Sequence, residues 1–173
     1  MDRVGEPGRP PDRTITAVLA IPAGNPGAGS EGRERNVDAT PSGKVGRVRD
    51  WMSRNPVAVS PELSVEQVIR LMRAHGIRHV LVMDDERLVG IVSNRDLRRL
   101  VVGEGPPFSP RSPAGRIMTE NPVTVSPEAL LIEAAREMLD KKIGALPVVE
   151  ENRLIGILTK SDAFEALLAW AER

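Results

Sequence analysis

Two seven-residue stretches carry the side chains best suited to chemistry: GIVSNRD, Gly90 to Asp96, and GILTKSD, Gly156 to Asp162. In each, a hydroxyl residue stands three places ahead of an aspartate, Ser93 before Asp96 and Thr159 before Asp162. That spacing has two readings. A serine or threonine followed three residues later by an acid closes a helix capping box, here with aspartate in place of the usual glutamate. The same pair also suits a ligand. A hydroxyl at a helix start can bond an anion beside free backbone N–H groups at the positive end of the dipole. The carboxylate accepts two hydrogen bonds, which fits a pair of neighbouring hydroxyls. Arg95 and Lys160, next to these residues, add positive charge. One residue can cap a helix and serve a ligand at once.

Other chemistry is sparse. The histidines are His75, near a predicted helix end, and His79, at a predicted strand start beside Arg78. A metal site needs more convergent ligands than these. There is no P-loop, G-x-S-x-G, H-E-x-x-H or cysteine nucleophile, so an autonomous enzyme is not expected. GAGSEG, Gly27 to Gly32, formally matches G-x-G-x-x-G. That fingerprint works only between a strand and a packed helix, and here Pro22 and Pro26 break the approach while Arg33–Asn36 is polar. Arg95, Arg98 and Arg99 lie at helical spacing and read as a solvated face.

The positioning elements come in duplicate. Aligning Val48 onward with Ala114 onward needs no gap: Met52 pairs with Met118, Pro56 with Pro122, Ile77 with Ile143, Gly90 with Gly156 and Asp96 with Asp162, always 66 apart. A constant offset means two copies of one folding unit of roughly 55 residues. Each copy opens with a β-type run, NPVAVS or NPVTVS. Ser60 and Ser126 are then expected as helix N-caps, each followed by proline and by Glu62 or Glu128 in the first turn. The helices place Val65, Val68, Ile69 and Met72, or Leu131, Ala134, Ala135 and Met138, on an apolar face. Two strands follow around the turns at 84–86 and 150–152, and a second helix begins after Ser93 or Thr159. The unit is β-α-β-β-α. Two such units, related by a pseudo-twofold axis, bury each other's exposed faces, so the fold class is mixed α+β.

Composition frames this unit. The 173 residues carry 24 basic and 24 acidic side chains and no cysteine. Net neutrality argues against a nucleic-acid partner, and the absence of cysteine excludes disulfides and thiolate metal sites. No apolar run approaches the roughly 18 residues a membrane span needs. TITAVLAI, Thr14 to Ile21, is too short and too soon followed by proline to read as a signal peptide, so a cytoplasmic protein is expected. The expected organisation is a Gly/Pro-rich disordered tail over 1–44, repeat one over 45–102, a Pro-rich linker over 103–113, and repeat two with a C-terminal helix over 114–173.

The stretches MSRNPVAVSPELSVEQVIRLMRAHGIRHVLVMDDERLVGIVSNRD and MTENPVTVSPEALLIEAAREMLDKKIGALPVVEENRLIGILTKSD each resemble a whole CBS domain, the regulatory repeat named after cystathionine β-synthase. The resemblance covers about residues 48–170 and identifies the chain as a stand-alone tandem pair. It implies an intramolecular pseudodimer with two clefts, in which family members often hold AMP, ADP, ATP or S-adenosylmethionine as effectors. It further implies that Asp96 and Asp162 hold ribose hydroxyls and that Ser93 and Thr159 contact phosphate. Val57, Ile77, Arg78 and His79 would line one adenine slot, and Val123, Ile143, Gly144 and Ala145 the other, each facing the other repeat's aspartate. A homodimer and a regulated protein are the partners this implies. A ligand-free dimerisation scaffold and a nucleic-acid-binding protein are the alternatives.

Overall fold

The computed structural model describes residues 46–172; the expected tail and the Gly27–Gly32 match lie outside them. In the first repeat a short helix, α1 (Val48–Trp51), and strands β1 (Ser53–Arg54) and β2 (Ala58–Val59) precede helix α2 (Val65–Ala74). The hairpin β3 (His79–Asp84) and β4 (Arg87–Ser93) then leads into α3 (Asn94–Val101). The second repeat follows the same grammar: a 3₁₀ turn at Ala114–Arg116, β5 (Thr119–Glu120), α4 (Leu131–Asp140), the hairpin β6 (Ala145–Glu150) and β7 (Arg153–Thr159), and α5 (Lys160–Ala171).

The helices start later than expected. Ser64, not Ser60, caps α2. Its hydroxyl accepts from the Gln67 N–H at 3.3 Å, and the Gln67 side chain accepts from the Ser64 N–H at 3.1 Å. This reciprocal box satisfies two otherwise orphaned donors, whereas Ser60 closes only a turn, its carbonyl accepting from the Leu63 N–H at 3.1 Å. In the second copy Ser126 likewise closes a turn, and the N-cap is Leu130, which has no side-chain oxygen. There the Leu131 N–H donates to the Gly46 carbonyl at 3.0 Å, so the segment before α1 does the capping. The pseudo-equivalent contact in the first copy runs from the Val65 N–H to the Ser112 carbonyl at 2.9 Å.

That exchange extends to the sheets. β1 lies antiparallel to β7 and β5 antiparallel to β4, giving the orders β2-β3-β4-β5 and β1-β7-β6. Each repeat therefore lends its first strand to the other's sheet. The motif glycines make room for the crossing. A Cβ on Gly156 would sit 2.9 Å from the Ser53 carbonyl oxygen and 2.8 Å from the Met52 sulfur, and one on Gly90 only 2.3 Å from the Met118 sulfur. NPVTVS gives no full strand, only a parallel bridge from Val125 to Val148. Pro147 is the cause: it occupies the place of Leu81, whose N–H donates to the Val57 carbonyl at 3.1 Å, and proline has no N–H to donate.

Strand alternation divides the core. On β3, Val80 and Val82 face α2, whereas Leu81 and Met83 face the other repeat. On β6, Leu146 and Val148 pack into the second repeat's own cluster, and Ala145 joins Leu81, Met83, Ala58, Leu154 and Ile157 in a shared layer. The two sheets thus meet through that layer, with the strand ends that carry the candidate residues at its edge.

Candidate functional site

Where β3 and β4 meet, His79 pairs with Ser93; where β6 and β7 meet, Ala145 pairs with Thr159. The pseudo-twofold packing brings these two edges together around a cleft of about 750 Å³. Val57, Ile77, Arg78, His79, Ser93 and Asp96 line it from the first repeat, and Val123, Ile143, Gly144, Ala145 and Thr159 from the second. The two expected slots thus form one continuous cleft. Asp162 does not line it and is 1% exposed.

Both motifs close capping boxes. Asp96 Oδ2 accepts from the Ser93 N–H at 2.8 Å and hydroxyl at 2.6 Å; Asp162 Oδ2 accepts from the Thr159 N–H and hydroxyl, each at 2.7 Å. The capping reading is therefore fulfilled in both copies. The difference lies beyond the cap: Asp96 is half-buried at the cleft wall, and Asp162 is enclosed behind Thr159.

Strand starts face the opposite repeat's helix starts. Arg78 Nη2 donates to Ser161 Oγ at 3.2 Å, and Arg95 Nη1 donates to the Lys142 carbonyl at 2.8 Å. The repeat places Arg78 where the second copy has Gly144, and Arg95 where it has Ser161. Each crossing therefore holds one arginine and one small residue, and both arginines come from the first repeat. His79 fills the space beside Gly144, where a Cβ would lie 3.1 Å from its Nε2.

The lining is strongly cationic. Arg78, Arg95, Arg98 and Arg99 approach from one repeat and Lys141, Lys142 and Lys160 from the other, against the single carboxylate of Asp96. Glu137 and Glu104 reach only the rim, 3.5 Å from Lys141 and 3.9 Å from Arg99. Burial lowers the His79 pKa below its ordinary value. The Arg78 charge lowers it further, Asp96 opposes the shift, and Arg95 adds a smaller push downward. Among the described residues no group of acids and histidines has the arrangement to hold a metal ion, and no helix is long and apolar enough to cross a membrane.

Sequence reasoning missed Lys141 and Lys142. The signal was available: they precede the second slot where the first copy has His75 and Gly76. Lys142 adopts φ +54°, the left-handed position that Gly76 fills at φ +61°. A lysine there costs about 1–2 kcal/mol of backbone strain that glycine avoids.

A model of the CBS domain matches residues 48–103 and again 114–169. The inosine-5'-monophosphate dehydrogenase of Korarchaeum cryptofilum is 41% identical over 121 residues, which make up 69% of this chain and 24% of the dehydrogenase. The chain thus spans about a quarter of the enzyme it matches. A CBS domain-containing protein of Dictyostelium discoideum is 31% identical over 134 residues, 70% of this chain and 90% of that protein. Among solved structures, CBSX2 in complex with AMP is similar with a TM-score of 0.61 and 31% identity, over 74% of this chain and 99% of that one. This chain belongs to the CBS-domain family and carries two CBS domains in tandem.

Proposed function

We propose that this CBS pair is a regulatory sensor of adenosine-containing ligands, with AMP, ADP, ATP and S-adenosylmethionine as the candidate effectors. The observation that carries this reading is the cleft itself, where a capped aspartate suited to a ribose diol stands among cations suited to phosphate. The AMP complex of the similar CBSX2 supports it. Binding would favour one arrangement of the two repeats by the ligand's differential affinity for it, and a regulated protein would read the change.

Titration calorimetry with AMP, ATP and S-adenosylmethionine tests the reading; heat signals indistinguishable from dilution with all of them would sink it. A proton signature should accompany anion binding. Burial, and after it the Arg78 and Arg95 charges, holds the His79 pKa below its ordinary value in the free protein, and an anion placed between the two arginines raises it by offsetting their share while the burial remains. Between the two pKa values binding takes up protons, so nucleotide affinity should rise as pH falls below the ordinary histidine value toward the lowered His79 pKa. Apparent binding enthalpies in two buffers of different ionisation enthalpy measure the uptake. Equal enthalpies would mean that His79 lies away from the ligand.

A homodimer fits the outer surface. Helix α5 is apolar on both sides: Ala166 packs inward, while Phe164, Leu167, Leu168 and Trp170 are 51–63% exposed. Ile132 and Leu139 of the adjacent α4 are 54% and 68% exposed. A helix apolar all round belongs in an interior. At the equivalent positions the first repeat exposes Val101 and Val102 opposite Leu167 and Leu168, but has Glu66, Arg73, Arg98 and Glu104 where the second has Ile132, Leu139, Phe164 and Trp170, so the second repeat's outer face is the more apolar. A second copy laying its own α5 on this patch would need to bury about 800 Å² on each partner to make a standard interface. Sedimentation should show a dimer that Leu168→Glu converts to monomer; a monomeric wild type would contradict this.

A further inference from the structure

Each repeat turns one helical face outward, α2 with α3 in the first and α4 with α5 in the second, and the 66-residue offset keeps their positions in register. The charges on the two faces differ in sign. The α2/α3 face exposes Arg70, Arg73, Arg98 and Arg99. Its acids are Glu66, which pairs with Arg70, and Glu104, 3.9 Å from Arg99, so arginine is in excess. The α4/α5 face exposes Glu133, Asp140 and Glu172, with Glu137 and Glu165 half-buried beside them. Its cations are Arg136 and Lys141, the latter 3.5 Å from Glu137, so here carboxylate is in excess.

Both faces also expose apolar side chains at matching positions. Val101 and Val102, at the end of α3, are 79% and 68% exposed where α5 has the exposed Leu167 and Leu168. Laying α5 on the partner's α5 sets Glu133, Asp140 and Glu172 against their own copies, and like charges brought together oppose association. Pairing unlike faces replaces that opposition with attraction and still covers the apolar residues. A twofold dimer makes such a contact twice, because each face meets the other kind on the partner. The roughly 800 Å² that each partner buries in a standard interface is then shared between two contacts.

We infer that two copies pack head to tail, the basic α2/α3 face of each on the acidic α4/α5 face of the other, with Val101 and Val102 against Leu167 and Leu168. The inference rests on the homodimer reading above and fixes its orientation: α5 meets the partner's α3.

The chain has no cysteine, so introduced thiols report the contact without background. Val102→Cys and Leu168→Cys are made in the full chain, separately and together, and oxidised mildly; both positions are exposed, so neither change empties the core. The double variant should yield a covalent dimer joined from 102 to 168, about tenfold or more above either single variant, because a disulfide forms only between closely apposed residues. Salt gives a second readout by sedimentation. Screening should weaken the dimer about threefold or more between roughly 0.05 and 0.5 M salt, and Arg73→Glu should weaken it about fivefold or more at the lower salt. Single variants that cross-link as well as the double variant, or a dimer that salt tightens, would overturn the head-to-tail arrangement and leave the homodimer standing. A monomer at every concentration would overturn both.

Discussion

Asp96→Asn is expected to lower ATP affinity by about 30- to 100-fold while the protein stays folded. A carboxylate accepting hydrogen bonds from both hydroxyls of a ribose makes charge-assisted bonds, and those contribute roughly 1.5–3 kcal/mol each before relaxation. Asparagine keeps one acceptor oxygen but no charge, so most of that contribution goes. The fold tolerates the change better than the ligand does. Asp96 also accepts from the Ser93 N–H at 2.8 Å and caps α3, and losing a cap costs about 1 kcal/mol. Calorimetry and urea denaturation on the same preparation separate the two effects. Asp162→Asn should show the opposite weighting. Its carboxylate is buried and bonded to Thr159 at 2.7 Å, so stability falls more and direct ligand contact less. ATP binding to Asp96→Asn within a few-fold of wild type would show that this carboxylate does not hold the sugar.

The second large effect is structural. Leu81→Ala should destabilise the chain by about 2–5 kcal/mol, the usual range for emptying a fully buried leucine site. Leu81 is 0% exposed and sits on β3, yet it packs with Ala145, Leu154 and Ile157 of the other repeat. Its loss is therefore felt by both repeats. Trp51 packs against the second repeat's cluster and Trp170 lies on that repeat's α5, so the tryptophan fluorescence reports on the second repeat. A urea titration followed by that signal should move to lower midpoint in one cooperative transition. An unmoved tryptophan transition, with a separate earlier unfolding of the first repeat, would mean that the shared layer does not couple them.

Much of this fold was legible because the chain states it twice. The 66-residue offset, the alternation in HVLVM and LPVV, and the helical spacing around Val65 and Leu131 define the strands, the helices and their inner faces. Ser93–Asp96 and Thr159–Asp162 were readable both as caps and as candidate ligand residues, since a capping box is local and its spacing is written in the sequence. Local grammar fails where partners come from far away. Nothing near Leu130 announces that Gly46 will cap α4, and nothing near Ser53 shows that β1 joins β7 rather than its own repeat's sheet. The glycines at 90 and 156 hint at close approach, but the methionine that fills each space belongs to the other repeat.

The divergence of the two half-sites was hidden for the same reason. Asp96 and Asp162 stand in nearly identical motifs, so their different exposure comes from packing around them and not from the motifs. The cationic wall was legible only in part. Arg95 and Lys160 lie beside the motifs, whereas Lys141 and Lys142 enter the cleft because α4 ends there with a left-handed residue. Arg78 and Arg95 look unrelated in the sequence. Only the pseudo-twofold packing shows that they occupy the two equivalent crossings between repeats.

The central claim is that nucleotide binds in the cleft between the repeats, and an amide nitrogen–proton correlation spectrum recorded during titration with ATP tests it most directly. The account predicts shifts concentrated at Arg78, His79, Ser93, Asp96, Lys142, Gly144 and Thr159, which all line the cleft, with little change on the outer faces of α4 and α5. Saturable shifts confined to those outer helices, or a spectrum unaltered at millimolar ATP, would contradict it.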